Sequence, residues 1–245
     1  MPEVIQNNTN HAPRFDRANV SPIADVVIVV LVTGCTFLFE NFAIDQGWIP
    51  YAEEIRGALS VVVGALAAVG ITFYRGRTFA DLGFKRPKRW AVVPLQIILI
   101  LLAFMAAQTI VPALVSFFIE VPAPDLSRYD AIAGNIGAAL LMALVLPLTA
   151  SIPEEVIYRG FLIGRLEAIF GQANAWMAVF IQGLIFGAIH FQWGVGGMIV
   201  TFFMGIVWGT AFILCDRNLW VVILAHSTGH LLLVTQLYLG ESLVI

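Results

Sequence analysis

The sequence predicts an all-α polytopic membrane protein. Three observations carry that reading. Hydrophobic residues make up 60% of the chain and charged residues 12%, with a mean hydropathy of +0.89, whereas a soluble domain averages roughly 25% charged residues. The apolar residues fall in long runs, near the ~20 residues that a helix needs to cross the hydrocarbon core. Short polar stretches separate the runs and hold most of the charge. The net charge of −3 argues against a nucleic-acid partner.

Taken in order, residues 1–21 are polar and read as a short disordered tail, with no evident signal peptide. Residues 22–245 read as one membrane domain. The first predicted span is Ile23 to Ala43, with Asp25 and Glu40 near its ends and expected to reach headgroups. The second is Ala58 to Tyr74. Next come Arg75, Arg77, Lys85, Arg86, Lys88 and Arg89, six of the 13 basic residues within 15 positions. The positive-inside rule makes this loop, 75–89, cytoplasmic. It is expected to be a solvated, headgroup-facing loop. The third span is Ala91 to Phe118. The loop from Glu120 to Asn135 is acidic on balance and belongs on the opposite face.

A fourth apolar run, Ile136 to Ile152, leads into Pro153 to Phe170. There charged residues interleave with apolar ones that recur at three and four, a helix signature. Gly171-Gln172 reads as a turn. The last runs are Ala175 to Phe191, Val195 to Cys215 and Leu219 to Leu239. The count is about eight helices: seven clear spans and a motif-bearing helix at 153–170 that is tilted or re-entrant if it does not cross. Eight spans put both termini in the cytoplasm. Cys35 and Cys215 lie in apolar runs and are expected as buried small hydrophobes. No internal repeat is evident.

Ionisable residues at membrane depth are costly and mark function. Glu154, Glu155 and Arg159 fall in the motif helix, and three of the four histidines, His190, His226 and His230, fall in or beside apolar runs. Glu154 and His190 each lie 18 residues from Gln172. A helical hairpin turning there returns both to the same depth. His226 and His230 share a helix face. Glu155 and Arg159 are spaced for an i,i+4 ion pair, which assigns them to structural support and leaves Glu154 for chemistry. Ser151-x-x-Glu154 also fits a capping box, with Pro153 in a first turn, so spacing alone divides Glu154 between cap and catalyst. A carboxylate beside an imidazole can activate water, and further imidazoles can donate to an oxyanion. The same Glu154, His190, His226 and His230 could instead hold Zn²⁺, although no HExxH motif is present.

These residues resemble a known family. Glu154-Glu155-x-x-x-Arg159-Gly160, then Phe186-x-x-x-His190, then His226-x-x-x-His230 look like the motifs of the CPBP intramembrane endopeptidases. That family includes the type II CAAX prenyl proteases and the bacterial homologues often called Abi proteins. Asp81-Leu82-Gly83-Phe84 and the basic run after it resemble the family's cytoplasmic loop. The motif-bearing core is 136–239. The resemblance implies an endopeptidase of a bacterial inner membrane, acting on a membrane-anchored, CAAX-type substrate. It implies that Glu154 and His190 activate water and that His226 and residue 230 hold the oxyanion. Residue 230 is usually Asn in the family and is His here; residue 158 is Tyr where Phe is common. Two other classes use the same inventory. One is a proton-coupled transporter, against which the missing internal symmetry counts. The other is a catalytically silent immunity protein of the same fold. Membrane lipid is an expected partner in each case.

Overall fold

A computed structural model describes residues 21–48, 56–121 and 127–240. The expected tail lies outside these residues, apart from Ser21. The described residues are helical and contain no strand. Seven apolar helices follow one another: α1 Pro22–Asp45, α2 Ala58–Tyr74, α3 Val93–Val115, α4 Ile136–Phe170, α5 Ala175–Ala188, α6 Gly194–Leu214 and α7 Leu219–Leu239. Five are long and apolar enough to cross a membrane; α2 and α5 are shorter, at 17 and 14 residues. The all-α polytopic class is what the structure has.

The fourth run and the motif helix do not separate. They form one helix, α4, of 35 residues. It starts on Asn135, whose side chain accepts the Ala138 N–H, and ends where Gly171 turns at φ 89°. At about 1.5 Å per residue it exceeds the ~30 Å hydrocarbon core, so it tilts or protrudes. Its interior carries Pro147 and Pro153. Proline has no N–H to give and its ring crowds the carbonyl four residues back. The chain answers with wide π-helical turns at 147–151 and 155–163, in which the Ile152 N–H reaches back to the Pro147 carbonyl. No helix therefore begins at Ser151, and the capping-box reading is overturned.

Among the described residues, the seven helices place the ends differently from the eight expected. Asp25 of α1 meets Arg75 after α2 and Arg165 near the end of α4. These groups share one face with the 75–92 loop. At the other face the Gly134 N–H donates to the Tyr238 carbonyl at the end of α7. The two ends of the described chain thus lie on opposite faces. Asp25 and Glu40 are buried at 3% and 2% exposure, so they do not reach headgroups. Asp25 pairs with both arginines, and Glu40 accepts the N–H groups of Gly57, Leu59 and Ser60 that open α2. A carboxylate at a helix N-terminus satisfies orphan donors and complements the dipole. Cys215 is buried as expected, but Cys35 is exposed on α1.

The most extensive helix pair is α5 with α6. Glycines make it close. A Cβ on Gly187 would lie 2.6 Å from the Met198 carbonyl oxygen, and one on Gly205 would lie 3.0 Å from the Gly183 Cα. Gly183 and Gly187, and Gly205 and Gly209, repeat at four, the small-residue spacing that lets membrane helices touch backbones. In the most hydrophobic window of α6 44% of the residues are buried, against 6% for the third span, so α6 is central and α3 peripheral. The exposed leucines and phenylalanines of the outer helices form the apolar exterior that lipid requires.

Candidate functional site

The hairpin at Gly171 forms as the spacing predicts. Tyr158 of α4 and Phe186 of α5 meet edge to face at 5.0 Å. Each is 14 residues from Gln172, so the register is symmetric about that turn. Glu154 and His190 each lie four residues further from that turn. The Phe186 ring also carries the Arg159 guanidinium 5.0 Å from its centre, a cation–π contact in a desolvated place.

The two adjacent glutamates have opposite surroundings. Glu155 and Arg159 are both fully buried and paired, Nη1 to Oε1, at 3.1 Å. The same Oε1 accepts from His226 Nδ1 at 2.8 Å. Glu154 is only half-buried, and among the described residues it has no hydrogen-bond or ion-pair partner. His190, His226 and His230 are likewise half-buried. The four candidate residues thus retain access to the site while their supports do not.

The hydrogen bonds fix what each imidazole can offer. His190 Nδ1 lies 2.6 Å from the Phe186 carbonyl oxygen. A carbonyl only accepts, so Nδ1 carries the proton and the neutral ring presents a basic Nε2. Trp193 and Phe186 flank this ring at 4.7 and 4.9 Å. His226 gives its Nδ1 proton to the Glu155 carboxylate. Its Nε2 is then an acceptor when the ring is neutral and a donor only when the ring is an imidazolium. His230 Nδ1 lies 2.8 Å from the hydroxyl of fully buried Ser151. With Ser151 donating, His230 keeps its proton on Nε2 and is a neutral donor. The rings of His226 and His230 are 4.8 Å apart.

The four residues do not make a metal site. Among the described residues, no three His, Cys, Asp or Glu side chains are grouped so as to hold a metal ion. The Zn²⁺ alternative does not fit this arrangement.

Two supporting residues, Trp208 and Ser151, escape the motif spacings, and Gly160 within the motif gains a physical reason. Trp208 stacks on His226 at 4.9 Å with 24° between the planes. The hairpin arithmetic could have found it, because Trp208 and His226 are each nine residues from Arg217 in the Asp216-Arg217-Asn218 turn. Ser151 has no such signal: it meets His230 across 79 residues. Gly160 is needed because a Cβ there would come within 2.7 Å of the Leu82 carbonyl oxygen. Leu82 belongs to Asp81-Leu82-Gly83-Phe84, and the next carbonyl, of Gly83, accepts the Leu219 N–H that opens α7. The loop therefore joins the motif helix to the histidine helix.

The fold and site define a polytopic helical membrane protein with a polar, half-open centre built on α4, α5 and α7. Residues 136–232 match the family described as "Type II CAAX prenyl endopeptidase Rce1-like". This region, which holds Glu154, His190, His226 and His230, is similar to that family of membrane peptidases. No curated protein and no solved structure gives a match.

Proposed function

We propose that this chain hydrolyses a peptide bond of a membrane-anchored, CAAX-type substrate, with Glu154 and His190 activating the attacking water. The observation that carries the reading is the contrast at 154 and 155. Glu155 is consumed by Arg159 and His226, whereas Glu154 has no hydrogen-bond or ion-pair partner among the described residues. A carboxylate with no partner, next to a basic imidazole nitrogen, suits a general base. Water loses its proton to Glu154 while His190 Nε2 accepts its other hydrogen. The hydroxide attacks the carbonyl, and the oxyanion receives the Nε2–H of His230 and, when charged, that of His226. Glu154 then returns the proton to the leaving amine. The core of this machinery is 136–239. The basic 75–89 loop faces the cytoplasm, and the membrane is a bacterial inner membrane.

The test is cleavage of prenylated and unprenylated C-terminal peptides by the purified protein, with and without a chelator. Hydrolysis that prefers the prenylated peptide and ignores the chelator supports the reading. In the same assay Glu154→Gln is expected to lose ~10²–10⁴-fold in kcat, with an unchanged unfolding midpoint because no partner is lost. Full activity in Glu154→Gln would sink the assignment.

A further inference from the structure

The basic loop was expected to be a solvated strip, but it encloses a cleft. A cavity of about 550 Å³ lies between this loop and the turn joining α6 to α7. Its rim holds Lys85, Arg86, Lys88, Arg89 and Arg217, with Asp216 as the one carboxylate among the lining residues. Lys88 pairs with Asp216 at 3.0 Å, and Arg217 with Glu167 at 2.6 Å. Lys85, Arg86 and Arg89 have no ion-pair partner among the described residues. Three unneutralised cations around one cleft repel one another, an arrangement that an anion relieves.

The cleft is built rather than frayed. The Lys85 carbonyl accepts from Asn218 Nδ2 at 2.8 Å, and the Gly83 carbonyl accepts from the Leu219 N–H at 2.8 Å. Asn218 is itself buried and caps α7 through the Val221 N–H. The loop is thus pinned at two points to the start of α7. Buried Cys215 and Val221 contribute apolar walls.

A second groove adjoins the first and shares Lys85, Arg86 and Pro87 with it. Its remaining walls are Phe84, Trp90, Trp220 and Leu224, an apolar surface. Trp90 and Trp220 are 53% and 43% exposed. Tryptophan at a membrane–water interface sits at headgroup level. A basic cleft beside an apolar groove, at the end of membrane helices, matches a molecule with an anionic head and an acyl chain.

We propose that this paired cleft and groove bind an anionic phospholipid. Its phosphodiester sits among Lys85, Arg86 and Arg89, and its acyl chain runs along Trp90, Trp220 and Leu224. The inference does not rest on the peptidase reading, and its test does not use activity.

The probe is phosphatidylglycerol brominated on its acyl chain, because bromine quenches nearby indoles. The full chain is placed in phosphatidylcholine vesicles with a small fraction of the brominated lipid, and brominated phosphatidylcholine is the reference. Stronger quenching by the anionic lipid is expected. The excess should vanish in Trp90→Phe/Trp220→Phe. In Lys85→Gln/Arg86→Gln/Arg89→Gln the lipid's apparent affinity should fall about five-fold per charge removed. Asp216→Asn, which frees Lys88 and suits the left-handed φ of 57° at that position, should raise it. Added inorganic phosphate should leave the excess in place. Equal quenching by the two lipids overturns the proposal, as does an excess that survives in the triple-glutamine variant. Loss of the excess to inorganic phosphate marks a soluble-phosphate site and overturns it too. Should the triple-glutamine variant fail to fold, the absence of any gain in Asp216→Asn overturns the proposal on its own.

Discussion

The seam between α5 and α6 and the seam between α4 and α7 solve the same problem in opposite ways. The first is closed by absence: Gly183, Gly187, Gly205 and Gly209 remove side chains so that backbones touch. The second is held by polar bonds, Glu155 to His226 and Ser151 to His230, with histidines left half-open between the helices. In lipid the hydrophobic effect does not drive helices together, so either close contact or hydrogen bonding must. The polar seam is the one that leaves room for chemistry. It carries buried atoms without a partner, Glu155 Oε2 and Arg159 Nε and Nη2, while the α5–α6 seam leaves both amide atoms of buried Gln182 without one.

Breaking the polar seam at its centre has the largest expected effect on folding. Glu155→Ala strands the buried Arg159 guanidinium and frees His226. Removing one partner of a buried pair costs about 3–5 kcal/mol, read as a fall in the unfolding midpoint in detergent. Arg159→Ala should match it, and the double variant should cost less than the two added together. An unchanged midpoint in either single variant refutes the structural role.

The glycine seam should be less costly to disturb. Gly187→Ala puts a methyl against the Met198 carbonyl and the Phe202 Cβ. Overpacking of this kind costs about 1–3 kcal/mol. A midpoint equal to the parent's would mean that α5 and α6 are not as close as described.

The two seams were not equally legible in the sequence. The hairpin at Gly171 was, because rise per residue turns spacing into depth: Tyr158 meets Phe186 at equal counts from Gln172. The Glu155–Arg159 pair followed from helical spacing. The join of the fourth run to the motif helix was not legible, because Pro153 after Ser151 reads as a helix start. Only tertiary packing tells a proline that opens a helix from one absorbed by π-turns. The buried fates of Asp25 and Glu40 were hidden for a related reason. Their partners Arg75, Arg165 and the start of α2 come from other helices. The cap reading of Glu154 fell with the missing helix start.

A smaller test separates positioning from packing inside the polar seam. Ser151→Ala removes the hydroxyl that holds His230 Nδ1 and leaves the ring free to change tautomer. We expect about a ten-fold loss in kcat, the size of one neutral hydrogen bond, with KM nearly unchanged. Paired with His230→Asn, the serine should matter little, because an amide donor has no tautomer to fix. Equal losses from Ser151→Ala in both backgrounds would reduce Ser151 to packing.

The smallest effect concerns the loop that ties the two helices of the polar seam together. Asp81 accepts the Thr78 N–H at 2.7 Å and the Thr78 hydroxyl at 2.9 Å. These bonds, the backbone one first, hold its carboxyl below the ordinary value of 3.8. A depressed carboxylate stabilises the fold above its unfolded pKa, and the contribution fades as pH falls through the lower folded value. Asp81→Asn should therefore be slightly less stable than the parent at neutral pH, and the two curves should converge in acid below about pH 4. The group is solvent-exposed, so the difference is small. It should still exceed the effect of the same change at Asp45, which among the described residues accepts from one arginine side chain, that of Arg56. Its size measures how far the polar seam depends on the loop whose Leu82 carbonyl rests against Gly160. Parallel curves with no convergence in acid would mean that Leu82 and Gly83 anchor the loop without help from Asp81.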